Sequence, residues 1–329
     1  MSYTSRNVLS TTAKLAHVLE IVALLGYKKL ENNVGVANHV GNYFWFEYTD
    51  YKSWTGIELQ VYRKNGQIAI DTRSRVSRSY WDLLHQNKTI SLLKGIFGGS
   101  FDTDAGTNRF WHPDAPPPTP LSSGCYLARW RFKNALQRAN IYLDARELKG
   151  DISNNKLTGL TFVDDINPRL LSNNMILPFA MGVWEDYFRS TYVALLATSQ
   201  NRNSAFKKTR LSDAQIDQIA NQQLTVVEAV VENMSFQRPS KIAEHFKTLD
   251  SKLDFAGILK KPYRRRKISL FEKIEELVEI RNNFVHAGEM NHKLLDKQLE
   301  QVLSDLTAAV DRFYVLLGKH HDFKPIRDY

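Results

Sequence analysis

The chain has 329 residues, 43% of them hydrophobic and 11% aromatic, enough apolar material for one large or two ordinary cores, and two domains are expected. Forty-four Lys and Arg against 35 Asp and Glu give a formal charge of +9 and a pI near 9.4, which favours a polyanionic partner, nucleic acid first, through counterion release. The single cysteine, Cys125, excludes an intramolecular disulfide, and with no basic-then-apolar leader in Met1 to Arg6 and no run near the roughly 20 apolar residues of a membrane span, a soluble, cytoplasmic protein is expected.

In chain order, Leu15, Val18, Leu19, Val22 and Leu25 recur at three- and four-residue spacing, predicting an amphipathic helix over Thr11 to Leu30 that Gly26 ends or breaks. The period then changes to two. Tyr43 to Tyr48 is aromatic-rich, and Ile57, Leu59 and Val61 alternate ahead of Asn65-Gly66, with Ile68 and Ile70 beyond it. Asn-Gly supplies the positive φ angles of a type I′ turn, so Gly56 to Tyr62 and Gln67 to Thr72 are predicted to pair as antiparallel strands.

Ser77 to Leu93 reads as helix again, and Gly95 to Asp104 as a glycine-rich loop. With Arg73, Arg75, Arg78 and Arg109 near in sequence, backbone amides around Gly98 and Gly99 could hold a phosphate or nucleotide. The spacing lacks the phosphate-loop pattern G-x-x-x-x-G-K-[ST], and glycines that answer only steric demands are the stronger reading. The first 120 residues are therefore expected to form an α+β domain.

Pro113 and the run Pro116-Pro117-Pro118-Thr119-Pro120 remove backbone donors and mark the linker. Beyond it the pattern is helical: Ala128 to Leu148, Met175 to Thr198, Asp213 to Met234, Ser240 to Leu253, Ile268 to His286 and Leu294 to Gly318. An all-α bundle of four to six up-and-down helices is expected for residues 121 to 329.

The helix from Ile268 to His286 carries Phe271, Ile274, Leu277, Val278, Arg281 and Val285 near one stripe, placing an arginine on a face otherwise directed inward. Asn282 and His286 lie four residues apart on one side, Arg281 can converge with them through its long side chain, and Gly288 is the expected stop. Immediately before this helix, Lys260-Lys261-Pro262-Tyr263-Arg264-Arg265-Arg266-Lys267 is a basic run with an embedded tyrosine, suited to RNA phosphates. It should lie one helix length, roughly 25 to 30 Å, from His286 unless the loop folds back. A solvated loop is the competing reading.

Arg281-Asn282-Asn283-Phe284-Val285-His286 resembles the R-x4-6-H signature of the HEPN superfamily, and Trp184-Glu185-Asp186-Tyr187-Phe188-Arg189 is similar to the aromatic-acidic pattern often found on an earlier helix of that family. The resemblance covers about residues 121 to 329 and leaves the first 120 outside it. It implies a HEPN-like helical bundle and metal-independent endoribonuclease activity, in which a ribose 2′-hydroxyl attacks the adjacent phosphodiester of tRNA or single-stranded RNA. His286 suits proton transfer near neutral pH. The Arg281 fork suits charge on the phosphorane oxygens, and Asn282 would orient the histidine or the phosphate. Because one Arg and one His are few groups for acid and base roles together, the family implies a homodimer with two motifs in one cleft.

It also implies a toxin or antiviral defence effector, with an antitoxin or trigger ligand as partner and residues 1 to 120 as sensor. The alternative is a non-catalytic HEPN module that binds RNA, nucleotide or a protein partner. Glu185 either approaches the Arg281 cluster across the bundle or pairs with Arg189 at four-residue spacing. Trp184, Tyr187 and Phe188 are read as core, and Cys125 as a buried or linker residue. His320-His321 with Asp322 is compatible with a metal site, but adjacent histidines near a chain end are more often solvated, so no metal and no cofactor is expected.

Overall fold

The computed structural model of the chain describes residues 2–31, 38–64, 66–148, 157–207 and 209–326. It divides into two compact units, the first closing at Ser123 and the second running Gly124–Ile326. Among the described residues the first holds a seven-stranded sheet, two α-helices and a 3-10 turn at Thr49–Tyr51, and the second is helical. That is the α+β and all-α division expected from the sequence, with the boundary three residues later.

The first unit begins with β1 (Tyr3–Val8), α1 (Leu15–Leu24), β2 (Lys28–Lys29), β3 (His39–Trp45), β4 (Ile57–Lys64), β5 (Gln67–Ser74), α2 (Tyr80–Phe97), β6 (Ser100–Thr103) and β7 (Gly106–Thr107). Every pairing is antiparallel, in the order β2-β3-β4-β5-β1-β6-β7. The predicted hairpin is β4 with β5, Lys64 opposite Gln67. Gly66 has φ +79°, while Asn65 lies outside the described residues. The first helix is shorter than expected, because Gly26 turns the chain at φ +84° and Lys28–Lys29 joins the sheet against β3.

Ile57, Leu59, Val61, Ile68 and Ile70 bury their side chains with Val18 and Val22 of α1 and Leu93 of α2, the alternation that strands packed on one face require. Further along, that layer turns polar. Ser5, Asn7, Thr72, Ser74 and Gln86 are buried, with the Ser5 and Thr72 hydroxyls 2.6 Å apart and Gln86 Nε2 donating to Thr72 Oγ1 at 3.0 Å. β1 therefore has no apolar alternation, and sequence reasoning missed it.

The second unit contains α3 (Pro120–Leu148), which starts four residues before it, α4 (Thr161–Asp164), α5 (Pro168–Thr198), α6 (Arg202–Phe206), α7 (Asp213–Ala220), α8 (Val226–Glu232), α9 (Pro239–Leu249), α10 (Phe255–Lys260), α11 (Leu270–Ala287) and α12 (Asp296–His320). Pro120 heads α3, where a missing N–H costs nothing, and residues 108–119 before it form neither helix nor strand. The single helix expected over Asp213 to Met234 is two: Gln222 takes φ +57° and Thr225 starts a new helix with a capping box to Glu228. Trp184, Tyr187 and Phe188 are fully buried, and Phe188 packs against Phe246, Phe255 and Phe313. Cys125 is buried too, its thiol pushed up to about 12 by loss of solvent.

Candidate functional site

The motif helix α11 begins at Ser269, whose hydroxyl accepts the Glu272 N–H while the Glu272 carboxylate accepts from the Ser269 N–H. It ends at Gly288 in the left-handed conformation, φ +69°. Leu270, Ile274, Leu277 and Val278 are buried, Arg281 and Asn282 are half-buried, and Val285 and His286 are exposed. The inward stripe thus stops at Arg281, and the last turn rises into solvent.

Arg281 Nη1 donates to Asn282 Oδ1 at 2.8 Å, so Asn282 steadies the guanidinium rather than the imidazole. Arg281 and Glu185 line one cavity with Met181, Gly182, Gln237 and Val278. Its volume is about 10 Å³, room for one water and not for a phosphate. A phosphate reaching Arg281 must therefore approach from the solvent, to which His286, five residues further along α11, is also exposed. Glu185 meets both alternatives read from the sequence, since it shares that cavity and also accepts from Arg189 Nη2 at 2.9 Å. Beside the cavity, Leu171, Met175, Phe179, Gly182 and Asp186 form an exposed stripe along α5 at helical spacing.

The connection after His286 is fastened to the start of α5. Asn174 Nδ2 donates to Asn291 O at 3.3 Å, Asn291 N to Asn174 Oδ1 at 2.8 Å and Asn173 Nδ2 to Leu294 O at 2.9 Å. Asp296, the first residue of α12, lies buried beneath this connection, accepting from Arg169 Nε at 2.6 Å and from Arg146 Nη2 and Asn173 Nδ2 at 2.9 Å. Burial pushes the Asp296 carboxyl up, but the bonds from Arg169 and Asn173 and the charge of Arg146 outweigh it and hold the group below the usual carboxylate range. These four residues sit in three elements, and no local sequence signal joins them.

The basic run is not a free loop. Arg264 bonds Gln301 and Ser304, Arg266 pairs with the buried Asp305 at 2.6 Å, and Arg312 donates to the Ile258, Lys261 and Pro262 carbonyls. Three guanidinium groups, of Arg264, Arg266 and Arg312, lie 5.0, 5.3 and 5.1 Å from the centre of the Tyr263 ring. Lys260 lies over Phe271 at 5.0 Å. The run folds back along one face of α12 from Arg312 to Gln301, eleven residues or roughly 16 Å of helix, toward the end where Asp296 meets Asn173. Among the described residues no carboxylate pairs with Lys261, Arg264, Arg265 or Lys267.

In the first unit the glycine-rich stretch is no phosphate pocket. Gly95 lies inside α2, Gly98 caps it, and Ser100–Thr103 is strand β6, whose backbone is spent on β1. Gly99 is required by steric demand: at φ +89°, a Cβ would stand 2.1 Å from Val8 O. The arginines lie away from these glycines and are engaged elsewhere: Arg73 and Arg75 share Glu58 at 3.8 and 3.0 Å, Arg78 donates to Arg75 O at 2.8 Å and stacks over Tyr3 at 3.2 Å, and Arg109 follows β7. A groove of about 480 Å³ crosses the outer face of the sheet, lined by Arg6 and Arg73 but also by Glu58, Asp71, Asp102 and Asp104, and by neither Gly98 nor Gly99. Its carboxylates outnumber its guanidinium groups, which disfavours a phosphate ligand.

No helix among the described residues is long and apolar enough to cross a membrane. Comparison with protein-family models, with curated proteins and with solved structures finds no match to this chain.

Proposed function

We propose that the helical unit is a HEPN-like, metal-independent endoribonuclease that acts as a homodimer. The reading rests on one observation: in the last turns of α11, Arg281 is held half-buried by Asn282 over the Glu185 cavity, and His286, five residues further along the same helix, is exposed. His286 takes the proton of the ribose 2′-hydroxyl as the O2′–P bond forms, and the P–O5′ bond breaks to leave a cyclic phosphate. The imidazole of the second protomer protonates the departing 5′-oxygen. Arg281 opposes the charge on the non-bridging oxygens, and Glu185 and Asn282 position Arg281. The exposed apolar residues Leu171, Met175 and Phe179 beside the cavity supply a surface for apposing two copies. The uncompensated cations of the basic run, directed toward the same end of the bundle, would carry the RNA backbone.

The test incubates the purified protein with tRNA and single-stranded RNA in EDTA. Arg281→Ala and His286→Ala are each expected to lower the cleavage rate about a hundredfold or more, with the dimer retained by light scattering. Arg264→Ala with Arg265→Ala should weaken RNA binding and flatten its salt dependence; Arg266 is spared because it neutralises the buried Asp305. Cleavage that survives His286→Ala, or an active strict monomer, overturns the reading.

The small volume of the Arg281 cavity favours a second reading, a non-catalytic RNA-binding or interaction module. RNA bound and left intact in the same assay identifies it. As a toxin or defence effector, the chain would be toxic on expression only with His286 intact, and a trigger ligand would bind the sheet groove of the first unit.

A further inference from the structure

The chain ends of α9 and α12 meet in a cluster that the nuclease reading does not use. Asp250 follows the last residue of α9, His320 is the last residue of α12 and His321 its cap. One ligand atom from each of the three lies within 4.8 Å of the other two. His320 Nε2 is 2.5 Å from Asp250 Oδ2, while the other oxygen, Oδ1, accepts from the Lys252 N–H at 3.0 Å. The two histidine rings are 4.9 Å apart and nearly perpendicular. His321 Nε2 is buried and has no hydrogen-bond partner, a costly state for an imidazole nitrogen.

The backbone holds these groups in place. Asp322 takes φ +52°, the Phe323 N–H donates to Gly318 O at 2.9 Å and the His321 N–H to Leu317 O, a Schellman-type ending that fixes the two imidazoles relative to α12. A Cβ on Gly318 would stand 2.8 Å from Phe323 O, so the returning chain sits tightly on the helix. Two helix C-termini converge here, and the partial negative charge of their terminal carbonyls favours a cation.

We propose that Asp250, His320 and His321 form a binding site for one first-row divalent metal ion of the zinc class, which ties the end of α9 to the end of α12. Two imidazoles and a carboxylate are the donors that zinc accepts, with a water in the fourth position. Tetrahedral bonds of about 2.1 Å place donor atoms roughly 3.4 Å apart, so the 2.5 Å pair opens and the wider pairs close, each through a side-chain adjustment. The Lys252 amide on Asp250 Oδ1 is the outer-shell bond that aims the carboxylate. Oxygen-seeking Mg²⁺ and Ca²⁺ are excluded by the two nitrogen donors.

The site is remote from the motif. α12 starts at Asn173 of α5 and passes Phe188 at Phe313, so its two ends lie about 36 Å apart, and the His286 connection is fastened at the Asn173 end. A metal here is structural and independent of the nuclease reading.

The test is titration of the tag-free, full-length, EDTA-treated chain with Zn²⁺ alone by calorimetry, with Co²⁺ absorption as a second readout. One equivalent per chain, a tetrahedral cobalt spectrum and an unfolding midpoint raised by several degrees are expected, with no response to Mg²⁺. His321→Gln and Asp250→Asn should each weaken zinc binding about a hundredfold or more while metal-free circular dichroism stays that of the parent. Should either variant fold poorly, His320→Gln with Co²⁺ as probe gives the same decision. No stoichiometric zinc binding, or binding equal in parent and variants, overturns the proposal.

Discussion

His85 lies face to face with Trp45, ring centroids 3.7 Å apart, and its buried Nε2 has no hydrogen-bond partner. Burial, helped by the charge of Lys88, lowers its pKa to about 4, against about 6.5 in an unfolded chain. Between these values the unfolded chain binds a proton that the native one does not, so stability is complete above about pH 6.5 and falls as the pH drops toward 4. His85→Phe removes that proton, and the difference between urea midpoints at pH 7 and pH 5 should shrink; an unchanged difference would show that other groups dominate. Arg281 and His286 could be singled out as candidates in the sequence because both stand on one helix at motif spacing. The partners of Asp296 and the Asp250 partner of His320 could not, because residues 127 and 70 positions apart meet only in the folded chain.

At the scale of elements, α11 and α12 are joined through a connection whose anchor is charged. Asp296 faces two guanidinium groups with 4% of its side chain exposed, and replacing it with Asn leaves Arg146 and Arg169 uncompensated. Loss of about 3 kcal/mol is expected in denaturant unfolding at neutral pH. Because the folded carboxyl is held below its ordinary value, the contribution is whole above about pH 3.9 and disappears as the pH falls through the folded pKa. A loss under 1 kcal/mol would mean that the two arginines find other partners. Two helix starts carry a local signal that the hydrophobic periodicity alone overlooked: Ser269 with Glu272 and Thr225 with Glu228 fit the pattern S/T-x-x-E/Q, and the second divides the helix expected over Asp213 to Met234. Strand β1 was hidden because its inward residues, Ser5 and Asn7, are polar.

For the whole molecule, each unit encloses its own core, the first around Ile57, Leu59 and Ile70 and the second around Trp184, Phe188 and Phe313. Calorimetry should therefore resolve two transitions. Gly99→Ala, which drives a methyl group into Val8 O, should lower the transition of the first unit by about 2 kcal/mol or more and leave the second unchanged, while Asp296→Asn should do the reverse. One cooperative transition moved equally by both substitutions would contradict independent cores.

What the sequence determined alone is whatever a few neighbouring residues settle: hydrophobic periods of two and 3.6, helix caps, the proline run, the basic excess and the Arg281 to His286 spacing. Tertiary structure decided what depends on surroundings. It engaged Arg73 and Arg75 with Glu58 and Arg78 with Tyr3, laid the basic run along α12, left His286 exposed while half-burying Arg281, and brought Asp250 to His320. Burial and charge pairing are properties of the space around a side chain, and that space is filled by residues far away in the chain.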